Sequence, residues 1–77
     1  MIGVNPNPTS SLVKVTLKNQ IQEKYKIYLV DNKGSLIESK DLSGEFVIFD
    51  MTSLEKGIYF IILEVNTKRT IKKVIKT

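Results

Sequence analysis

Seventy-seven residues hold one domain, and a chain of this size buries only about 60% of the surface it exposes when unfolded. That is enough for one sandwich core, but not for a core together with an enclosed active-site cleft. The absence of cysteine and histidine excludes disulfides, thiolate metal sites and the commonest acid–base catalyst, while a formal charge of +4 is mild.

The first residues, Met1-Ile2-Gly3-Val4, lack the charged start and long apolar stretch of an export signal. If the domain works outside the cytoplasm, that signal is expected elsewhere on a longer parent protein. Asn5-Pro6-Asn7-Pro8 follows. The prolines fix φ, push Asn5 and Asn7 into extended conformations and supply no amide donor, so this stretch cannot be a central strand. The expected organisation is a leading loop over 1–11 and a sandwich over 12–77, within a single domain spanning 1–77.

Val13, Val15 and Leu17 alternate with Lys14, Thr16 and Lys18, the pattern of a half-buried strand. Tyr25, Ile27 and Leu29 form a second such set. Asp31-Asn32-Lys33-Gly34 then predicts a turn, with Asp31 bonding nearby backbone and Gly34 taking positive φ. Leu36–Leu42 is the expected returning strand. Ser43-Gly44-Glu45 predicts a further turn before Phe46-Val47-Ile48-Phe49, a short run apolar on both faces.

Thr52 to Gly57 reads as a connection, with room for one helical turn ended by the glycine. Beyond it, Tyr59, Ile61, Leu63 and Val65 line one face of a strand, with Phe60 and Ile62 on the other. A strand apolar on both sides belongs in the middle of a sheet. Asn66-Thr67 turns the chain, and 71–76 should pair antiparallel with the strand before it. The expected fold is all-β: a small antiparallel immunoglobulin-like sandwich of six strands, or seven if 2–4 also pairs.

Catalysis needs nucleophiles or proton-transfer groups tuned by a sheltered site. The eight carboxylates fall singly, with Asp31, Asp41 and Asp50 at strand ends and turns, and Gly34, Gly44 and Gly57 stand alone. No phosphate or dinucleotide loop is present, and Asp31-Asn32 is too thin for a calcium loop. No enzyme activity, cofactor or metal site is expected. The longest apolar run, 58–63, is too short to cross a bilayer.

Beyond Glu64 the chain carries Lys68, Arg69, Lys72, Lys73 and Lys76 and no acid. Such asymmetry fits an acidic partner, whether nucleic acid, anionic lipid or lipopolysaccharide. It also fits an edge strand protected from aggregation by lysines. The tail has no aromatic on which a base could stack, so nucleic acid is not the expected partner.

Four motifs in order resemble the type A C-terminal sorting domain of proteins exported by the type IX, or Por, secretion system. They are Pro6-Asn7-Pro8-Thr9-Ser10, then Asp31-x-x-Gly34, then Leu54-x-x-Gly57-x-Tyr59, and finally Lys72-Lys73-Val74-Ile75-Lys76. The resemblance covers 4–77. Asn5 stands where the family often has tyrosine, and Ser11 where a glycine often follows. What the resemblance implies is an address label on a larger exported protein with an N-terminal cargo domain. The outer-membrane translocon and its shuttle protein would recognise it, and a sortase-like cysteine peptidase would remove it. The cargo would pass through the periplasm to the outer membrane, to be released or anchored at the cell surface.

Within that picture Lys72, Lys73 and Lys76 are the expected contacts to an acidic surface, with Val74 and Ile75 anchoring the strand in the domain or in the partner. Gly57 and Tyr59 belong to the fold, with the Tyr59 hydroxyl at the rim. The competing reading is a non-catalytic immunoglobulin-like accessory module, a spacer or a glycan binder, on a surface enzyme.

Overall fold

The computed structural model describes residues 2–17, 25–42, 44–65 and 68–77, with Leu42 described in its backbone only. These contain seven strands and no helix: β1 (Ile2–Asn5), β2 (Leu12–Leu17), β3 (Tyr25–Asp31), β4 (Leu36–Leu42), β5 (Phe46–Asp50), β6 (Gly57–Val65) and β7 (Lys68–Lys76). They form two antiparallel sheets, one ordered β1-β2-β5 and the other β4-β3-β6-β7. This is an immunoglobulin-like sandwich.

The core forms where the alternating apolar sets of the two sheets meet. Val13, Val15 and Leu17 from β2 face Tyr25, Ile27 and Leu29 from β3 and Tyr59, Ile61 and Leu63 from β6. Ile2, Phe49, Met51 and Val74 complete it. Since β6 pairs with β3 on one side and β7 on the other, its two-faced apolar sequence sits inside the sheet, as expected.

Several expectations change. The leading segment 1–11 is not all loop, because Ile2–Asn5 pairs antiparallel with β2 and buries Ile2. As an edge strand β1 stops at Asn5, just before the first proline, where a missing N–H is harmless. No helical turn forms between Thr52 and Gly57. Instead the Leu54 amide donates to the Met51 carbonyl at 3.0 Å, and the Thr52 amide donates to Asp50 Oδ1 at 2.9 Å. The β5 run is one-sided: Phe49 is fully buried, while Phe46 and Ile48 are exposed on the outer surface. The turn at Asn66-Thr67, the Ser43 position and Lys18 lie outside the described residues.

The Asp31-x-x-Gly34 turn has a clear mechanism. Asp31 Oδ1 accepts the amides of Lys33 and Ser35, both at 2.9 Å, and Gly34 adopts φ +86°. Those backbone donors, Ser35 foremost, hold the Asp31 carboxyl below its ordinary pKa. At the other motif, Gly57 has φ +153° and Tyr59 is buried with its hydroxyl donating to the Glu55 carbonyl at 2.7 Å. A tyrosine near the start of the sixth strand, bonded back to the backbone upstream, is the tyrosine corner of sandwich folds. Two of the four motifs are thereby accounted for by folding alone.

Candidate functional site

The remaining two motifs, separated by most of the chain, meet at one edge. Among the described residues β7 is the outermost strand of its sheet, with no strand beside it on the side turned away from β6. The Pro6-Asn7-Pro8-Thr9 segment covers the end of that edge, with both X–Pro peptide bonds cis. The Asn7 side-chain amide donates to the Lys73 carbonyl at 2.8 Å, and its oxygen accepts the Ile75 amide at 3.0 Å. Thr9 continues as a short parallel bridge to Lys76. Its amide donates to the Ile75 carbonyl, and its carbonyl accepts the Thr77 amide, both at 2.9 Å.

Thr9 itself is buried, with its hydroxyl donating to the Leu12 carbonyl at 2.6 Å and accepting the Ser11 amide at 3.2 Å. The Ser11 carbonyl in turn receives the Met51 amide. A continuous set of hydrogen bonds thus joins the tail, the Pro-Asn-Pro-Thr segment and the opposite sheet. The role of Thr9 is not marked in the sequence, although a threonine hydroxyl can accept the backbone amide two residues on in a local side-chain turn, as it does here from Ser11. Met51 was missed as well, yet it simply extends the Val47, Phe49 alternation by one step.

The tail residues separate by their surroundings. Val74 is fully buried in the core. Lys76 is also buried, opposite Gly57 in register, with Nζ donating to the Thr77 carbonyl at 3.1 Å. Ile75 remains partly exposed on the outer face. Lys68, Arg69, Lys72 and Lys73 are exposed, as is Ile71 at 57%. Successive side chains point to opposite faces of a strand. Lys68 and Lys72 therefore share the face of Val74, whereas Arg69 and Lys73 lie with Ile71 on the other. Of these cations only Arg69 has an ion pair among the described residues, 3.9 Å from Glu64, and at this exposure it contributes little.

Beside Ile71, the outer face of the four-stranded sheet carries a shallow apolar groove lined by Val30, Leu36, Ile62 and Ile71, with Tyr28 and Glu64 at its polar end. There the Tyr28 hydroxyl donates to Glu64 Oε1 at 3.1 Å. The aromatics are less buried than their sequence neighbours imply. Phe46 is exposed, with the Lys14 ammonium 4.3 Å above its ring, while Tyr28 and Phe60 are half-buried. No cluster of three or more acidic, histidine or cysteine side chains suited to a metal occurs among the described residues. No helix among them is long and apolar enough to cross a membrane.

No curated protein matches the chain. A family model described as a secretion system C-terminal sorting domain does, over residues 3–77. That span includes both partners of the contact between the Pro-Asn-Pro-Thr segment and β7. With the match covering nearly the whole chain, this sandwich belongs to the type IX secretion system C-terminal sorting domain family.

Proposed function

We propose that this domain is the export address of an N-terminally attached cargo, read at the outer membrane through the exposed part of its last strand. The observation that carries the reading is the family match over 3–77, joined to a stretch of β7 that is accessible and of one sign of charge. Lys72 and Lys73 are the side chains assigned to an acidic surface of the translocon or its shuttle protein. Lys76 is withdrawn from that role, because its ammonium is held against Thr77 and its stem is buried. Val74 anchors the strand in the domain, not in the partner.

In this reading the domain is the substrate of a sortase-like cysteine peptidase that removes it from the cargo. The cargo is then released or attached at the cell surface, with lipopolysaccharide as the anionic anchor. The route runs from the inner membrane, crossed with the parent's own signal, through the periplasm to the outer membrane.

The test is a reporter with an ordinary N-terminal export signal and residues 4–77 fused at its C-terminus, expressed in a host with type IX machinery. Reporter outside the cell and trimmed of the domain supports the reading. Reporter retained in the periplasm with a folded domain contradicts it. An accessory spacer or glycan binder would also keep its role when moved to an internal position, which an export address read at its last strand would not.

A further inference from the structure

The exposed half of β7 has a geometry that limits how any partner can engage it. Lys68 and Lys72 lie on one face of the sheet, Arg69 and Lys73 on the other, so a partner packed on either face of the sheet meets only one pair. A partner that meets both must straddle the edge. A polypeptide strand does so naturally, because its own side chains alternate with the same period.

The main chain of β7 is set up for such an addition. The Ile75 amide and carbonyl both point away from β6, as their bonds to Asn7 and Thr9 demonstrate. By alternation the amide and carbonyl of Ile71, those of Arg69 and the amide of Lys73 point the same way. Thr9 already pairs with this edge in parallel, so the edge accepts main-chain partners in this molecule. That pairing ends at the Lys73 carbonyl, which Asn7 takes. The segment from Arg69 to the Lys73 amide lies beyond it.

Charge decides between occupants. A second copy pairing antiparallel about Ile71 would set Arg69 opposite Lys73 of its partner on one face, and like charges directly opposed are destabilising. A strand bearing carboxylates meets the four exposed cations with opposite sign, and an apolar residue at its centre meets Ile71 beside the groove.

We propose that Arg69–Ile71–Lys73 is a strand-addition site for an extended acidic segment of a partner protein, with an apolar side chain seated against Ile71. This rests on the tail being the recognised element, and it specifies how the recognition is made.

The probe is a blocked peptide with valine at its centre and consecutive glutamates on either side, so that carboxylates fall on both faces of the added strand. Residue-resolved amide exchange should slow at Arg69, Ile71 and Lys73 and not along β4, with affinity falling as salt rises. Ile71→Pro removes the outward N–H at a position where an edge strand tolerates proline. It should weaken binding on the order of tenfold beyond Ile71→Thr, which keeps the donor. If Ile71→Pro does not fold, the charge swap decides: Lys68→Glu with Lys72→Glu should prefer the same peptide with lysines in place of only those glutamates that share the face of residues 68 and 72.

Protection absent from those three amides overturns the proposal, as does equal binding by the Ile71→Pro and Ile71→Thr domains, or no change of preference in the charge swap. If the proposal fails on these measurements while Lys72→Glu with Lys73→Glu still abolishes reporter export, the sorting reading stands and strand addition alone is discarded.

Discussion

Between Lys73 and Thr77 the outer edge of β7 is bonded to Asn7 and Thr9, and Val74 and Lys76 are buried behind it. Between Lys68 and Lys72 the same strand shows every side chain to solvent, and four of the five cations beyond Glu64 lie between Lys68 and Lys73. One half of the strand closes the sandwich, and the other half is surface. A basic tail that reads as a single motif is therefore two objects. Damage to the first should show as lost stability, and damage to the second as lost recognition by a domain that is still folded.

The largest expected effect is in the first half. Val74→Asp places an unpaired carboxylate in the core, at a cost on the order of 3–5 kcal/mol. A domain of this size holds roughly 5–10 kcal/mol in total, so chemical denaturation should show about half of its stability gone. Removing residues 72–77 outright would have the same defect, since Val74 leaves the core with the lysines. Such a truncation cannot separate folding from recognition.

Asn7→Ala should act next in size. It removes both side-chain bonds to β7 at an exposed position, an expected loss of about 1 kcal/mol, read as a lower midpoint in denaturant. Amide exchange at Ile75 should accelerate while that at Ile61, inside the sheet, does not. An unchanged Ile75 amide would mean that the Pro-Asn-Pro-Thr segment does not secure the tail.

Most of the fold was legible because burial here follows a period of two. The β2, β3 and β6 sets, the Asp31 turn and the central place of β6 all follow from alternation and turn chemistry. The union of the first motif with the last was not legible. Asn7 and Ile75 are distant in sequence, and a side-chain amide bonded to a strand edge leaves no periodic trace. Lys76 shows the limit from the other side. Composition marks a lysine as surface, yet its register opposite Gly57, a residue without a side chain, coincides with burial of the stem. The tail's charge could be counted in the sequence, but which of its lysines remain accessible could not.

Acid should produce the smallest effect, away from β7. Backbone donors hold Asp31 below its ordinary pKa, and the Thr52 hydroxyl and amide do the same for Asp50. A carboxyl lowered on folding adds stability above its unfolded value of about 3.9, and that stability is lost as pH falls through the lower folded value. Denaturation midpoints should therefore be flat above about pH 5 and decline below about pH 4. Asp31→Asn with Asp50→Asn should flatten the decline. Since both carboxylates serve the turns that follow β3 and β5 and neither belongs to β7, this double variant should leave reporter export unchanged at neutral pH.

The most direct test of the division is the double charge reversal Lys72→Glu with Lys73→Glu in the reporter fusion, with export and the thermal midpoint of the isolated domain measured together. A midpoint within a degree or two of the parent, together with reporter held in the periplasm, is the expected result for two exposed side chains that serve recognition. Normal export from the folded double variant would contradict the account and return these lysines to the role of edge-strand guards.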